Sequence, residues 1–195
     1  MTGIFGLIVL IICTLLFYIG SKYPINTKKV YFKPASILGI LIFSLFVGLR
    51  YNPEVDTDFL TYWNVAENGP NFHEYHRFEI IPRLIADIVL FLEFPPSAWF
   101  IIMGAILVYF TLFAACRLNN RFMPMVFGAL MLLYLSFDMN VMRQGVAISI
   151  FLCATTYIGE KHLIKYLLFI ILAFGFHRSS IICFFLYLLS FLNWE

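Results

Sequence analysis

The sequence predicts an all-α fold, a polytopic membrane helix bundle of about seven spanning helices with one further helix that is interfacial or re-entrant. Composition, mean hydropathy and the grouping of charge predict this class. Of the 195 residues, 62% are hydrophobic and 12% are charged, and the mean hydropathy is +0.90. Soluble domains are about 45–50% apolar and about 25% charged, so a water-soluble core in so short a chain is excluded. The same figures exclude intrinsic disorder.

The apolar residues fall into seven runs with few or no charges, and each run predicts a spanning helix. A bilayer core about 30 Å thick takes roughly 17–25 apolar residues per helix. The runs cover residues 3–20, 35–49, 97–116, 122–137, 146–158, 163–176 and 179–194. Several are short for a full span, which indicates helix ends sheltered by protein. The first run lacks the basic segment and cleavage site of a signal peptide, so we expect it to be retained.

Residues 80–94 differ from these runs because their ten Ile, Leu, Val and Phe residues accompany Arg83, Asp87 and Glu93. Three charges near the bilayer centre would cost about 2.5–3.5 kcal/mol each, and ten apolar residues return only about 0.3–0.6 kcal/mol each. Arg83 and Asp87 are spaced i, i+4, on one helix face. The segment 79–96 is therefore predicted to lie in the interface, or to re-enter without crossing.

The basic residues set the orientation of this single membrane domain, residues 1–195. Four lysines between the first two runs place that segment in the cytoplasm by the positive-inside rule. The N-terminus and the loop 50–78 are then extracytoplasmic. If 79–96 does not cross, all six lysines are cytoplasmic, with eight basic residues inside and five outside. Nine of the eleven acids are then outside, and they include Glu79.

The first candidate site follows the second run. Arg50 can bind phosphate bidentately or anchor to lipid headgroups. Asp56 and Asp58 can hold a divalent cation or supply a general base, although such a pair more often belongs to a solvated loop. Tyr62 and Trp63 can stack on a sugar, or they can be ordinary aromatic residues of the membrane boundary.

Two polar turns near the same face supply further candidates. Asp138, Arg143 and Gln144 interrupt two apolar runs, and charges at this depth indicate a functional site unless Asp138 and Arg143 only pair to fix the turn. His177 and Arg178 follow another run. His177 can exchange a proton near neutral pH or bind phosphate, or it can simply satisfy a backbone group.

These clusters predict a site lined by Arg, His and carboxylates that takes an anionic, lipid-linked ligand on the outer face. The four cysteines lie in or at the end of apolar runs, so they predict no disulfide and no metal site. A net charge of +2 without a basic stripe excludes a nucleic-acid partner. A flippase or exporter of lipid-linked oligosaccharide and a non-catalytic membrane component remain alternatives.

Four short motifs occur in a fixed order. They are Gly48-Leu49-Arg50-Tyr51, then Thr57-Asp58 with Tyr62, then Asn140 with Arg143, Gln144 and Ala147, and finally Phe176-His177 with Ser179. In this order and spacing they resemble the helix end, loop, helix start and helix end that mark the EpsG/Wzy family of bacterial polysaccharide polymerases. The chain departs from the family where Asp56 replaces Gly, Phe59 replaces Tyr and Ser180 replaces Ala. It also ends soon after an apolar run, which implies truncation at the C-terminus.

The resemblance implies an inverting glycosyltransferase of the bacterial cytoplasmic (inner) membrane that makes O-antigen, capsule or exopolysaccharide. Such an enzyme moves a growing glycan from undecaprenyl pyrophosphate to the next lipid-linked repeat unit. The implied catalytic residues are Asp58, Arg143 and His177. The implied substrate-binding residues are Arg50, Tyr62, Trp63, Asp138, Gln144 and Arg178. No cofactor and no metal are implied, and the expected partners include the bilayer, a flippase and a chain-length regulator.

Overall fold

The computed structural model describes residues 2–21, 33–49, 57–118 and 142–189, and these residues form helices and turns without a strand. The α-helices are α1 (Thr2–Ser21), α2 (Pro34–Gly48), α3 (Thr57–Asn68), α4 (Ile80–Phe91), α5 (Ser97–Leu118), α6 (Met142–Thr155), α7 (Leu163–Phe176) and α8 (Phe184–Leu189). Short 3-10 helices cover Gly69–Asn71, Tyr75–Arg77 and Arg178–Cys183. The predicted all-α class is confirmed for this part of the chain.

Five of the seven apolar runs are confirmed as helices, namely those at 3–20, 35–49, 97–116, 146–158 and 163–176. The run 122–137 lies outside the described residues. The run 179–194 differs from its prediction, because it opens as a 3-10 helix and becomes α-helical only at Phe184. Ser179 and Ser180, which favour turns and caps over helix interiors, stand at this start.

One helix in the described ranges is long and apolar enough to cross a membrane by length and composition, at Ser97–Arg117 of α5. The helices α2, α6 and α7 have 15, 14 and 14 residues. At 1.5 Å per residue they are roughly 21–23 Å long, shorter than a hydrocarbon core of about 30 Å. The sequence-based expectation that several helices would be short is therefore met.

The long helices pack in one series, with α1 on α2, α2 on α5, α5 on α6 and α6 on α7. The crossing of α2 and α5 depends on Gly48, because a Cβ there would overlap the side chain of Ile101. Small residues at such crossings let two helix backbones approach closely, which is how helices associate without a hydrophobic driving force in lipid.

Helices α3 and α4 lie against one end of this series, where α4 contacts both α5 and α7. The segment 50–78, predicted as a loop, contains α3 and two 3-10 helices. A buried stripe at i, i+3, i+6 and i+7 explains α3, formed by Phe59, Tyr62, Val65 and Ala66. Between these positions lie Leu60, Thr61, Trp63 and Asn64, two apolar and two polar residues, so the stripe does not stand out in the sequence.

The outer faces of the helices are apolar. On α1, Ile11, Leu15 and Ile19 are 52–54% exposed, and on α7 Ile164 and Leu168 are 76% and 61% exposed. Soluble monomers rarely expose contiguous apolar surface of this kind, whereas a helix in contact with lipid requires it.

Candidate functional site

Three chain segments meet at the end of the bundle that α4 covers. Glu79 immediately precedes α4, Arg143 is the second residue of α6, and His177 directly follows α7. Gly175 favours the close approach of α4 to α7, because a Cβ at that position would lie 2.5 Å from the Cδ1 of Ile81 and would force that side chain to move. The glycine thus lets the start of α4 sit beside His177.

Glu79 is the centre of this meeting point. Its carboxylate, only 8% exposed, accepts a hydrogen bond from Nη1 of Arg143 at 2.7 Å through Oε2. The other oxygen, Oε1, accepts the backbone N–H of Arg178 at 3.2 Å and lies 3.5 Å from Nδ1 of His177. A buried carboxylate is tolerated only when paired and hydrogen-bonded, and here three residues from two segments provide that pairing.

Aromatic rings hold the Arg143 guanidinium from a second side. Its Cζ lies 4.2 Å from the ring centroid of Phe78 and 5.7 Å from that of Tyr62, which are cation–π distances. The Tyr62 ring stacks on Trp99 at 5.4 Å and meets Phe78 edge-on at 5.5 Å. The indole Nε1 of Trp99 donates to the Pro82 carbonyl at 3.0 Å, so the first turns of α5 and α4 are fixed together.

Two nitrogen atoms in the site retain unused hydrogen-bonding capacity. Nε of Arg143 and Nδ1 of His177 are buried, and neither has a hydrogen-bond partner among the described residues. A guanidinium carries five N–H donors in a planar fork that matches phosphate oxygens. The Arg143 side chain is 21% exposed, so an anion can approach its remaining edge.

The structure brings together some of the residues predicted from the sequence. Arg143 and His177 share Glu79, and Arg178 contributes its backbone N–H while its own side chain is exposed. Gln144 follows Arg143 on α6 and is partly exposed. Arg50 and Asp138 lie outside the described residues, and so do Asp56 and the suggested Asp138–Arg143 pair.

The predicted residues of α3 lie at its start and on its buried side. Asp58 is exposed in the first turn, four residues before Tyr62, and therefore about 6 Å from it along the same side of the helix. Tyr62 is 3% exposed in the core, so a sugar can reach its ring only if packed side chains move. Trp63 is partly buried and its ring lies 5.9 Å from Phe59 and 6.3 Å from Phe100.

Sequence reasoning missed the role of Glu79, which it counted only among the outer acids. The available signal was its position directly before an apolar helix in a chain with few charges. An acid at such a position usually accepts backbone N–H groups of the first helical turn. Glu79 makes no such side-chain cap, and its carboxylate faces the residues of α6 and α7 instead.

The metal-ligating side chains are not clustered in the described ranges. Within them, no group of three or more His, Cys, Asp and Glu side chains could hold a metal ion. The groups that the described site presents are a guanidinium, an imidazole, a carboxylate and backbone N–H groups, a set suited to a phosphate-bearing ligand and to proton transfer.

Comparison with protein families matches most of the chain to a known family. The model described as the EpsG family covers residues 35–195, a range that includes every residue of the site. Comparison with curated proteins and with solved structures finds no match.

Proposed function

The chain belongs to the EpsG family, and from this membership we propose that it is a polysaccharide polymerase. It joins undecaprenyl-pyrophosphate-linked repeat units on the outer face of the bacterial cytoplasmic membrane. The observation that carries the proposal is the buried carboxylate of Glu79 between Arg143 and His177, with unused donor capacity on Arg143. A buried guanidinium donor without a partner is rare, and a ligand that accepts from it explains why it persists.

The proposed topology has seven spanning helices with the N-terminus outside and α4 in the interface. The 12 residues of α4 are about 18 Å long, too short for a hydrocarbon core of about 30 Å. Leu84, Ile88 and Phe91 of α4 are 54%, 46% and 84% exposed, and they supply an apolar face for the headgroup boundary. Arg143 and His177 are then on the outer side, where lipid-linked units are polymerised.

The proposed reaction is a single displacement at the anomeric carbon. The acceptor hydroxyl oxygen attacks that carbon, the bond from carbon to the pyrophosphate oxygen breaks, and its electron pair leaves with the pyrophosphate. Arg143 binds the pyrophosphate and stabilises the charge that develops as it departs. His177 or Asp58 takes the proton of the acceptor hydroxyl, a contribution of about 10²–10⁴-fold in rate.

Substrate-binding roles are proposed for the residues around this centre. Arg50 and Arg178 would add positive charge toward the pyrophosphate. Asp138 and Gln144 would bind sugar hydroxyls, and Trp63, with Tyr62 behind it, would contact a sugar ring. The lipid carrier lies along the apolar outer faces of the helices, and a flippase and a chain-length regulator would deliver substrate and limit the product.

The test is performed in cells that lack their own copy of this chain and receive either Arg143→Ala or Arg77→Ala. Arg77 is the matched control, because its side chain is 75% exposed and pairs only with its neighbour Glu74 in the described structure. We expect R143A cells to display single repeat units outside and R77A cells to make polymer. Normal chain length in R143A cells with normal protein levels contradicts the proposal, and single units trapped inside indicate an exporter instead.

A further inference from the structure

We propose that Glu79 is a positioning residue that sets the tautomer of His177 and holds it in register with Arg143. The inference rests on the proposed polymerase function for its kinetic consequences, but its structural part is independent of any activity. The carboxylate divides its oxygens between two tasks, with Oε2 on Arg143 and Oε1 toward His177. The Glu79 side chain therefore fixes the distance between His177, the proposed base, and Arg143, the proposed pyrophosphate-binding residue.

The tautomer follows from which nitrogen faces the carboxylate. An ionised carboxylate can only accept hydrogen bonds, so the imidazole nitrogen turned toward it is the one that carries the proton. In the structure this nitrogen is Nδ1 of His177, 3.5 Å from Oε1 of Glu79. Nε2 is then left with a lone pair, which is the form required of a general base.

Burial places the two imidazole nitrogens in different surroundings. Nδ1 is buried, whereas the His177 side chain as a whole is 25% exposed, so the exposed surface belongs to other atoms of the side chain. An acceptor hydroxyl can therefore approach the ring without passing Glu79. The proton goes from that hydroxyl to Nε2, while Nδ1 keeps its own proton and Glu79 stays ionised.

The separation of 3.5 Å is too long for a good hydrogen bond but lies within ion-pair range. When Nε2 takes the proton the imidazole becomes a cation, and the buried carboxylate beside it stabilises that cation. Hydrogen bonds of catalytic groups are often long before substrate binds and shorten afterwards. Glu79 thus acts on the reaction through His177 and does not itself touch the substrate.

Substitution by Gln separates this role from a purely structural one. In Glu79→Gln the amide oxygen can still accept Nη1 of Arg143, so the contact between the two helices is kept. The amide NH₂ then faces Nδ1 of His177 as a donor, which favours the proton on Nε2 and removes the basic lone pair. Glu79→Asp retains the charge on a shorter side chain and serves as the conservative control.

The direct test is ¹⁵N NMR of the full chain in lipid nanodiscs with ¹⁵N-labelled histidine side chains. The four histidines are assigned by substitution, with His177→Gln identifying the signals of interest. We expect His177 to be the Nδ1–H tautomer in the wild-type chain at mildly alkaline pH, and to shift toward the Nε2–H tautomer in E79Q. A wild-type Nε2–H tautomer overturns the inference, and this result does not depend on any variant folding.

The kinetic test uses the same proteins with lipid-linked repeat units. E79Q is expected to lower kcat by about 10²-fold with KM within a few-fold of wild type. The substitution removes the basic lone pair of His177 but leaves Arg143 able to bind the pyrophosphate. E79D is expected to recover part of this loss. Wild-type kcat in E79Q overturns the inference. Absence of polymerisation in the wild-type chain contradicts the proposed function alone, since the tautomer is read without turnover.

Discussion

At one end of the α6–α7 pair Arg143 meets Glu79, and at the other end Arg117 meets Glu160. Both arginines are mostly buried, with side chains 21% and 16% exposed, and both lie over aromatic rings. The carboxylates differ, because that of Glu79 is 8% exposed and that of Glu160 is 45% exposed. The ion pair at Arg143 is therefore buried, whereas the one at Arg117 is open to solvent.

The donors of the two arginines are used differently. Nε of Arg117 donates to Oγ1 of Thr156 at 3.2 Å, a second nitrogen pairs with Glu160, and Cζ lies 4.4 Å from the ring centroid of Tyr157. Nε of Arg143 is buried without a partner in the described ranges. Unsatisfied buried donors cost stability, so they are retained where a ligand uses them. The contacts of Arg117 are therefore those expected of a structural residue, whereas the surroundings of Arg143 are those expected of a binding site.

The largest effect is expected from replacing Arg143 by lysine, and the same replacement at Arg117 is its comparison. Arg143→Lys keeps the charge but loses the planar fork, so polymerisation should fall by at least about tenfold, since one missing donor to a developing anion costs about 10²–10³ in rate. Arg117→Lys should leave polymerisation near wild type and lower the unfolding free energy by about 1 kcal/mol through the lost bond to Thr156. Polymer length and thermal unfolding measure the two effects. Equal loss of activity at both ends would remove the distinction between them.

The second largest effect is expected from loss of the hydrogen bond between Trp99 of α5 and Pro82 of α4, which holds α4 in place near Arg143. Trp99→Phe removes the donor to the Pro82 carbonyl, which keeps the intrahelical bond of α4, so the unfolding free energy should fall by about 0.5–1.5 kcal/mol for the lost hydrogen bond. Because this bond fixes the first turn of α4 beside α5, activity should also fall a few-fold. Thermal unfolding and polymer length check both, and an unchanged unfolding temperature would show that the bond does not hold α4.

A smaller effect is expected at high pH from the segment between α3 and α4. Burial and the hydrogen bonds from the Tyr75 hydroxyl to the Asp87 carboxylate, at 2.6 and 2.7 Å, raise the pKa of Tyr75 to about 12. The folded state thus favours the neutral phenol. This stabilisation is present below the ordinary pKa of about 10 and is lost as pH rises toward 12. The wild-type chain should lose stability more steeply than Tyr75→Phe between pH 10 and 12, and parallel curves would contradict this.

The smallest effect is expected from Glu160→Gln. Its carboxylate is nearly half exposed, and exposed ion pairs contribute only about 0–1 kcal/mol. The unfolding temperature should therefore change little and polymerisation should not change. A loss of several kcal/mol on this substitution would mean that the Arg117 end is as tightly coupled as the Arg143 end.

The sequence allowed the long helices to be predicted because lipid-facing and core-facing residues are both apolar. The boundaries of the run at 163–176 coincide with those of α7 for this reason. Helix α3 could not be predicted with the same ease, because its buried residues Phe59 and Tyr62 have both apolar and polar neighbours in a segment that reads as a loop.

The site was predicted in part. Arg143 and His177 were identifiable because charge next to an apolar run is rare and expensive in a membrane. Glu79 was not, because its partner Arg143 is 64 residues away along the chain, and they meet only because α4 packs against α7 and α7 packs against α6. Local pattern contains no information on such a pairing.

The most direct measurement is polymerisation by the purified chain in lipid nanodiscs. The substrate is lipid-linked repeat units extracted from cells that lack this chain, and the products are separated by length. We predict a ladder of longer lipid-linked glycans with the wild-type chain and with R77A, and single units with R143A. A ladder from R143A equal to that of wild type, or no ladder from the wild-type chain, would contradict a polymerase site at Glu79, Arg143 and His177.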